Sequence, residues 1–174
     1  MSSKIWIGID NGITGSIGII VEGGNITYVK TPTKKAQNYT KKEQQITRVD
    51  SVKLFSIFKP YIGQDVQVLM ERPFVNHKFF YATQSALRSL EATLICLELA
   101  NFKYEITDSV QWQNDLLPEY WGGKLVEKEV LKEASLGVGK ELFPAVDYKG
   151  FKDADGLLIA EFCKRKYPQE NNNG

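Results

Sequence analysis

The feature that most constrains this chain is a carboxylate placed where carboxylates are costly. The apolar run Ile5-Trp6-Ile7-Gly8-Ile9 ends at Asp10, and the turn Asn11-Gly12-Ile13-Thr14-Gly15 leads into a second apolar run, Ser16-Ile17-Gly18-Ile19-Ile20-Val21. Short apolar runs rich in β-branched residues and bounded by a glycine turn predict buried strands. A charge at the mouth of such a strand is heavily penalised unless something positive meets it. Glu71 closes Val66-Gln67-Val68-Leu69-Met70 in the same manner, and Asp155 opens Gly156-Leu157-Leu158-Ile159-Ala160. Acids at the ends of three separate apolar elements point to a shared cation.

The rest of the pattern predicts an α/β protein. Residues 4–31 read as three strands, the second and third joined by the hairpin signal Glu22-Gly23-Gly24-Asn25. Val52, Leu54, Phe55, Phe58 and Tyr61 mark an amphipathic helix over about 50–61, stopped by Gly63, and a fourth strand covers 66–71. The longest helix is expected over 79–101, with Asn101 at its C-terminal cap and a small-residue face at Ala82, Ser85, Ala86, Ser89 and Thr93. A fifth strand over 102–107 leads through Asp108-Ser109 into a short helix holding Trp112. A loop over 119–124 and helices over about 125–142 and 153–166 complete the chain. Three strands followed by alternating helices and strands predict a mixed five-stranded sheet flanked by helices. No repeat or linker divides the sequence, so residues 1–168 are expected to form one domain and 169–174 a disordered polar tail.

Geometry argues that the acids meet. If the first and fourth strands are parallel neighbours, Asp10 and Glu71 converge at one edge of the sheet. Asp155, Leu158, Ile159 and Phe162 recur at helical spacing, so the Asp155 carboxylate shares the face that packs on the sheet. Asp153 falls on the other side of a helix, yet as a residue preceding the helix it can bend towards the same place. A site of oxygen donors without His or Cys suits Mg²⁺ or Mn²⁺ rather than zinc. Two such ions about 3.5–4 Å apart can activate water and stabilise the leaving oxygen in phosphodiester hydrolysis. Taken singly, each acid has a plain explanation: Asp10 as a turn residue, Glu71 as a partner of Arg72 or a lysine, Asp153 and Asp155 as helix caps.

The ordered set of these segments resembles the RuvC-type Holliday junction resolvases, in particular their phage-encoded branch within the RNase H-like nuclease superfamily. The resemblance is carried by Ile7-Gly8-Ile9-Asp10-Asn11-Gly12-Ile13-Thr14-Gly15, by Leu69-Met70-Glu71-Arg72-Pro73 and by Lys152-Asp153-Ala154-Asp155-Gly156-Leu157-Leu158-Ile159-Ala160. Ser85 to Thr93, Trp112-Gln113 and Leu116-Leu117-Pro118 fit between them, so it spans residue 5 to about 166. It implies an RNase H-like fold and a metal-dependent endonuclease in which Asp10, Glu71, Asp153 and Asp155 bind divalent ions. Two departures stand out. The family usually carries Asp or His a turn before the final aspartate, where this chain has Lys152, with the extra acid at Asp153. The family also often has proline after the first aspartate, where this chain has Asn11.

A net charge of +1 is no bar to a nucleic-acid partner, because distribution matters more than the sum. Lys30, Lys34, Lys35, Lys41, Lys42 and Arg48 face only Glu43 in their segment, which reads either as a solvated loop or as an arm that follows phosphates. Beyond Glu71, His77 and Lys78 can reach phosphates while a neighbouring aromatic meets an unstacked base. Lys152 is a further candidate phosphate contact. The expected partner is branched DNA, chiefly four-way junctions. Two equivalent strands to cut call for two sites related by a two-fold axis, hence a homodimer, with the long helix as its candidate interface. The lysines and glutamates of the helix over 125–142 read as a solvated face of i,i+4 pairs. Cys96 and Cys163, each in an apolar helical setting, read as reduced core thiols of a cytoplasmic protein. No stretch approaches a membrane span and the first residues pass straight into a strand, so neither an anchor nor a secretory signal is expected.

Three other readings compete. A branched- or flap-DNA nuclease of the same fold shares every residue named. A junction-binding protein without catalysis would keep the fold but not need the acids. The Asp10 loop also resembles the first phosphate loop of actin-like ATPases and sugar kinases, which need a second domain that 174 residues do not supply.

Overall fold

The computed structural model describes residues 3–38, 45–117 and 126–168. A five-stranded sheet forms its centre. Strands β1 (Ile5–Ile9), β2 (Ser16–Val21) and β3 (Ile26–Lys30) run as an antiparallel meander, while β6 (Val66–Glu71) and β7 (Lys103–Thr107) add in parallel on the other side of β1, giving the order β3-β2-β1-β6-β7. The mixed sheet expected from the sequence is therefore present, and β1 lies at its middle. Helix α1 (Ser51–Phe58) and the long α2 (Phe80–Leu99) cover one face. Helices α3 (Ser109–Leu116), α4 (Lys128–Leu142) and α5 (Asp155–Lys166) cover the other.

Alternation along β1 explains how a wholly apolar strand serves both layers. Ile5, Ile7 and Ile9 join Leu54, Phe58, Cys96 and Leu97 in one cluster, whereas Trp6 joins Trp112, Leu157 and Leu158 in the other. Gly8, between these residues, is where α5 crosses the sheet. A Cβ on Gly8 would lie 2.0 Å from the Ala160 backbone nitrogen, one on Gly18 2.4 Å from the Leu157 Cα, and one on Gly156 2.5 Å from the Ser16 carbonyl oxygen. The glycines let the helix axis approach the strands closely, which brings its N-terminus to the end of β1. Both cysteines are buried and free.

Two features differ from the sequence expectation. The basic segment is no simple loop: β4 (Thr33–Gln37) pairs antiparallel with β5 (Gln45–Val49) in a separate two-stranded ribbon. Its strands are mostly exposed and so lack the apolar alternation that marks a strand in sequence. The last helix begins at Asp155 rather than Asp153, which leaves Asp153 in the preceding turn. Asn101 adopts φ 54° just beyond α2, the left-handed conformation of a C-terminal cap. Among the described residues no helix is long and apolar enough to cross a membrane. The expected loop over 119–124 and the tail over 169–174 lie outside the described residues.

Candidate metal centre

Each acid reaches the site through a different element. The pairing of β1 with β6 ends at Ile9 opposite Met70, so Asp10 and Glu71 are the next residues of two adjacent parallel strands at their common C-terminal edge. The Asp10 backbone amide still bonds to the Ser16 carbonyl at 3.0 Å, and Gly12, at φ 149°, turns the chain. A Cβ on Gly15 would lie 2.1 Å from the Asp10 carbonyl oxygen, so the turn closes only with glycine there. Asn11, in the position the resemblance gives to proline, donates from Nδ2 to the Ala86 carbonyl at 3.2 Å and ties the turn to α2.

The turn before α5 delivers the other two acids. Asp10, Asp153 and Asp155 each offer a carboxylate oxygen within 4.8 Å of the other two. The position three residues before Asp155 is the exposed Lys152, and it is Asp153 that joins the group. The Tyr28 hydroxyl donates to the Asp153 carbonyl at 3.0 Å and lies 3.0 Å from Ser16 Oγ, which accepts from the Gly156 amide at 3.1 Å. This network fixes the turn to β2 and β3.

Glu71 stands at the border of the group. Its Oε2 accepts from Trp112 Nε1 at 2.7 Å, and Trp112 is wholly buried, so this tryptophan is a core residue that orients a carboxylate. Arg72 instead pairs with Asp108 at 3.2 Å, so the plain explanation of Glu71 as its partner does not hold. Asp108 occupies the N-cap position of α3, yet its side chain makes no capping bond.

The electrostatics describe a site short of positive charge. Burial raises the Asp10 carboxyl well above its ordinary value, and repulsion from Asp155, Glu71 and Asp153 raises it further, with Lys128 opposing. Asp155 is pushed up to about 7 by burial and by Asp153, against the Ser135 hydrogen bond and Lys132. Glu71 is raised by burial while the Trp112 bond works the other way. Like charges crowded in a half-buried place favour protonation until a cation neutralises them. Oxygen donors at this spacing fit a hard divalent ion. Asp10, Asp153 and Asp155 thus form a group that could hold a metal ion.

Helix α4 supplies what sequence reasoning missed. Lys128, Lys132, Ser135 and Gly139 recur at helical spacing on one face. The Ser135 hydroxyl donates to Asp155 Oδ1 and accepts from the Ala154 amide at 3.0 Å, and Gly139 packs so closely on Ala154 that a Cβ would lie 2.4 Å from its methyl. Lys128 and Lys132 act on Asp10, Glu71 and Asp155. The charged residues Glu127, Lys128, Glu129, Glu133, Lys140 and Glu141 are exposed, as expected of a solvated face, but the ion pair described there is Lys132–Glu129, at i,i+3 and 3.5 Å rather than i,i+4. Glutamates interleaved with the lysines hid a helix whose lysines oppose the charge of the acids.

Of the candidate DNA contacts, Lys34, Lys35, His77, Lys78 and Lys152 lie among the described residues. Lys34 and Lys35 lie on β4, where Lys34 Nζ is 3.8 Å from Asp50 Oδ1 and Lys35 Nζ donates to Thr47 Oγ1 at 3.0 Å. Lys41 and Lys42 lie outside the described residues. His77 and Lys78 are exposed on a 3₁₀ turn ahead of α2, where Asn76 Oδ1 accepts from the Lys78 amide at 2.9 Å. Phe74, Phe79, Phe80 and Tyr81 around them are 61–78% exposed, so they are not core residues.

Comparison with solved structures decides the fold. The chain is similar to T. thermophilus RuvC in complex with a Holliday junction substrate, with a TM-score of 0.53 and 18% identity over 90% of each chain. The fold is RuvC-type. A second structure of Thermus thermophilus RuvC matches with a TM-score of 0.51 and 17% identity, again over 90% of each chain. No protein-family model and no curated protein sequence matches the chain. At this identity the likeness is one of architecture, and the RuvC-type sheet is the frame that gathers the acids at the end of β1.

Proposed function

We propose that this protein is a divalent-metal-dependent, structure-selective DNA endonuclease that resolves four-way junctions by paired nicks. The observation that carries the proposal is the convergence of Asp10, Asp153 and Asp155 within 4.8 Å at the end of the central strand of a RuvC-type fold. That one of the similar RuvC structures is a complex with a Holliday junction substrate supports the choice of DNA.

In this reading Asp10, Glu71, Asp153 and Asp155 hold Mg²⁺, for which Mn²⁺ substitutes, as two ions per site. The ions supply an activated water and charge stabilisation at the scissile phosphate. The protein's own part is positional. Trp112 and Ser135 orient Glu71 and Asp155, the Tyr28–Ser16 network fixes the turn bearing Asp153, and Lys128 and Lys132 temper the repulsion among the acids. Lys34, Lys35, Lys41, Lys42, His77, Lys78 and Lys152 contact phosphates. Residues 1–168 act as one nuclease domain and pair into a homodimer through α2, whose exposed Leu87, Ile95 and Leu99 suit a protein contact. Branched DNA and reduced thiols agree with a cytoplasmic setting, and the phage-encoded assignment rests on the sequence resemblance alone.

Matched four-way, three-way, flap and linear DNAs with Mg²⁺, Mn²⁺ or chelator test the proposal. Metal-dependent, symmetric nicking of the four-way substrate in preference to the others is expected. Equal cutting of all branched forms would replace it with a general branched-DNA nuclease. Junction binding without cutting in any metal would replace it with a binding protein.

A further inference from the structure

The β4–β5 ribbon adds nothing to the central sheet, yet the chain builds it at the site's edge. Lys30, the last residue of β3, pairs with Ser16, and the Thr31 amide bonds to the Gly15 carbonyl at 2.9 Å. The ribbon's foot therefore stands on the turn that follows Asp10. At the foot the Asp50 amide bonds to the Pro32 carbonyl at 2.8 Å, and the paired strands run outward from there. Five residues at about 3.4 Å each give an arm of roughly 17 Å.

The ribbon's charge has one sign. Its two strands hold Lys34, Lys35 and Arg48 and no acid. The register sets Lys34 directly opposite Arg48, an arrangement that costs free energy in an isolated ribbon because the like charges share one face. Both residues are exposed. Asp50, at the foot, meets Lys34 at 3.8 Å but is mostly buried and also caps α1 by accepting from the Lys53 amide. Two-stranded ribbons are marginal alone, so cations opposed one pair above the foot find further compensation in a polyanion. Duplex DNA presents one negative charge per about 1.7 Å of axis, and its helical turn of about 34 Å is roughly twice the length of the arm.

We infer that the β4–β5 ribbon is a clamp on a duplex arm, with Lys34 and Arg48 gripping the phosphate backbone beside the branch point irrespective of sequence. This rests on the junction-nuclease reading and deepens it: the acids act at the branch while the ribbon holds the adjoining helix. Arg48 belongs to the surface although the lysine-rich segment draws attention away from it.

The full chain carrying Lys34→Gln and Arg48→Gln is compared with wild type for four-way junction affinity across a salt series. Loss of two phosphate contacts is expected to flatten the slope of log K against log salt by about 1.8 and to weaken binding roughly ten- to a hundredfold near 0.1 M salt. The charge-preserving pair Lys34→Arg and Arg48→Lys should restore the wild-type slope, which separates charge from folding. Neutral methylphosphonates placed in one arm, within about half a turn of the branch, should weaken wild type but not the glutamine variant. Wild-type junction binding with the same slope and the same methylphosphonate penalty in both proteins overturns the clamp and leaves the nuclease reading intact. Absence of junction binding by wild type overturns that reading itself, and the clamp with it.

Discussion

Replacing Asp155 by Asn removes one negative charge from the acid cluster while keeping the shape and an oxygen that accepts from Ser135. In the metal-free protein, Asp155 titrates near 7 instead of 3.8, raised by burial and by Asp153. Because the folded state favours the protonated form, the stability this carboxyl contributes is intact below about pH 4 and is lost as the pH rises through about 7. At about 1.4 kcal/mol per pH unit the displacement corresponds to roughly 4 kcal/mol at pH 8, and relaxation of the neighbouring acids reduces this to about 2–4 kcal/mol. For a protein of this size, 1 kcal/mol moves the melting temperature by about 2–4 °C, so in chelator at pH 8 the variant should melt roughly 5–15 °C above wild type. At pH 4 the two should coincide. Scanning calorimetry of both proteins across this range decides the matter, and millimolar Mg²⁺ should raise wild type more than the variant. Melting temperatures equal at pH 8 would mean that the carboxylates do not repel one another, and the electrostatic account of the site would fail.

Asp10→Asn should abolish metal-dependent nicking while leaving four-way junction binding near wild type in a gel-shift assay, because it removes a carboxylate and no phosphate contact. Gly156→Ala places a methyl group 2.5 Å from the Ser16 carbonyl oxygen and should cost about 1–3 kcal/mol or more in urea denaturation at unchanged m value. Trp112→Phe keeps an aromatic in the core but strips Glu71 of its donor, and should destabilise by about 1–3 kcal/mol where Glu71 is ionised and less at pH 4, as read by the same denaturation.

The acids were legible because burial makes a charge conspicuous. Asp10, Glu71 and Asp155 each close or open an apolar run, and the sheet and helix periods alone orient them towards one another. Asp153 was harder, since helical periodicity turns it away; only its place before the first turn of α5 lets it join Asp10 and Asp155. The partners of the acids were not legible. The Trp112–Glu71 bond spans 41 positions and the Ser135–Asp155 bond spans 20, distances over which no local period speaks. On α4 the spacing of Lys128, Lys132 and Ser135 was visible, but Glu127, Glu129 and Glu133 offered a simpler solvated reading. The ribbon escaped for a related reason: hydrophobic alternation reports which side of a strand is buried, and a ribbon exposed on both sides has little to report.

Crystals grown with Mn²⁺ and measured at the manganese absorption edge test the central claim most directly. Anomalous density is expected among the carboxylates of Asp10, Asp153 and Asp155, with a second peak towards Glu71, and both should vanish in Asp10→Asn. Carboxylates that stay as close in saturating Mn²⁺ with no anomalous peak between them would contradict the account, for these acids would then gather for some purpose other than holding a metal.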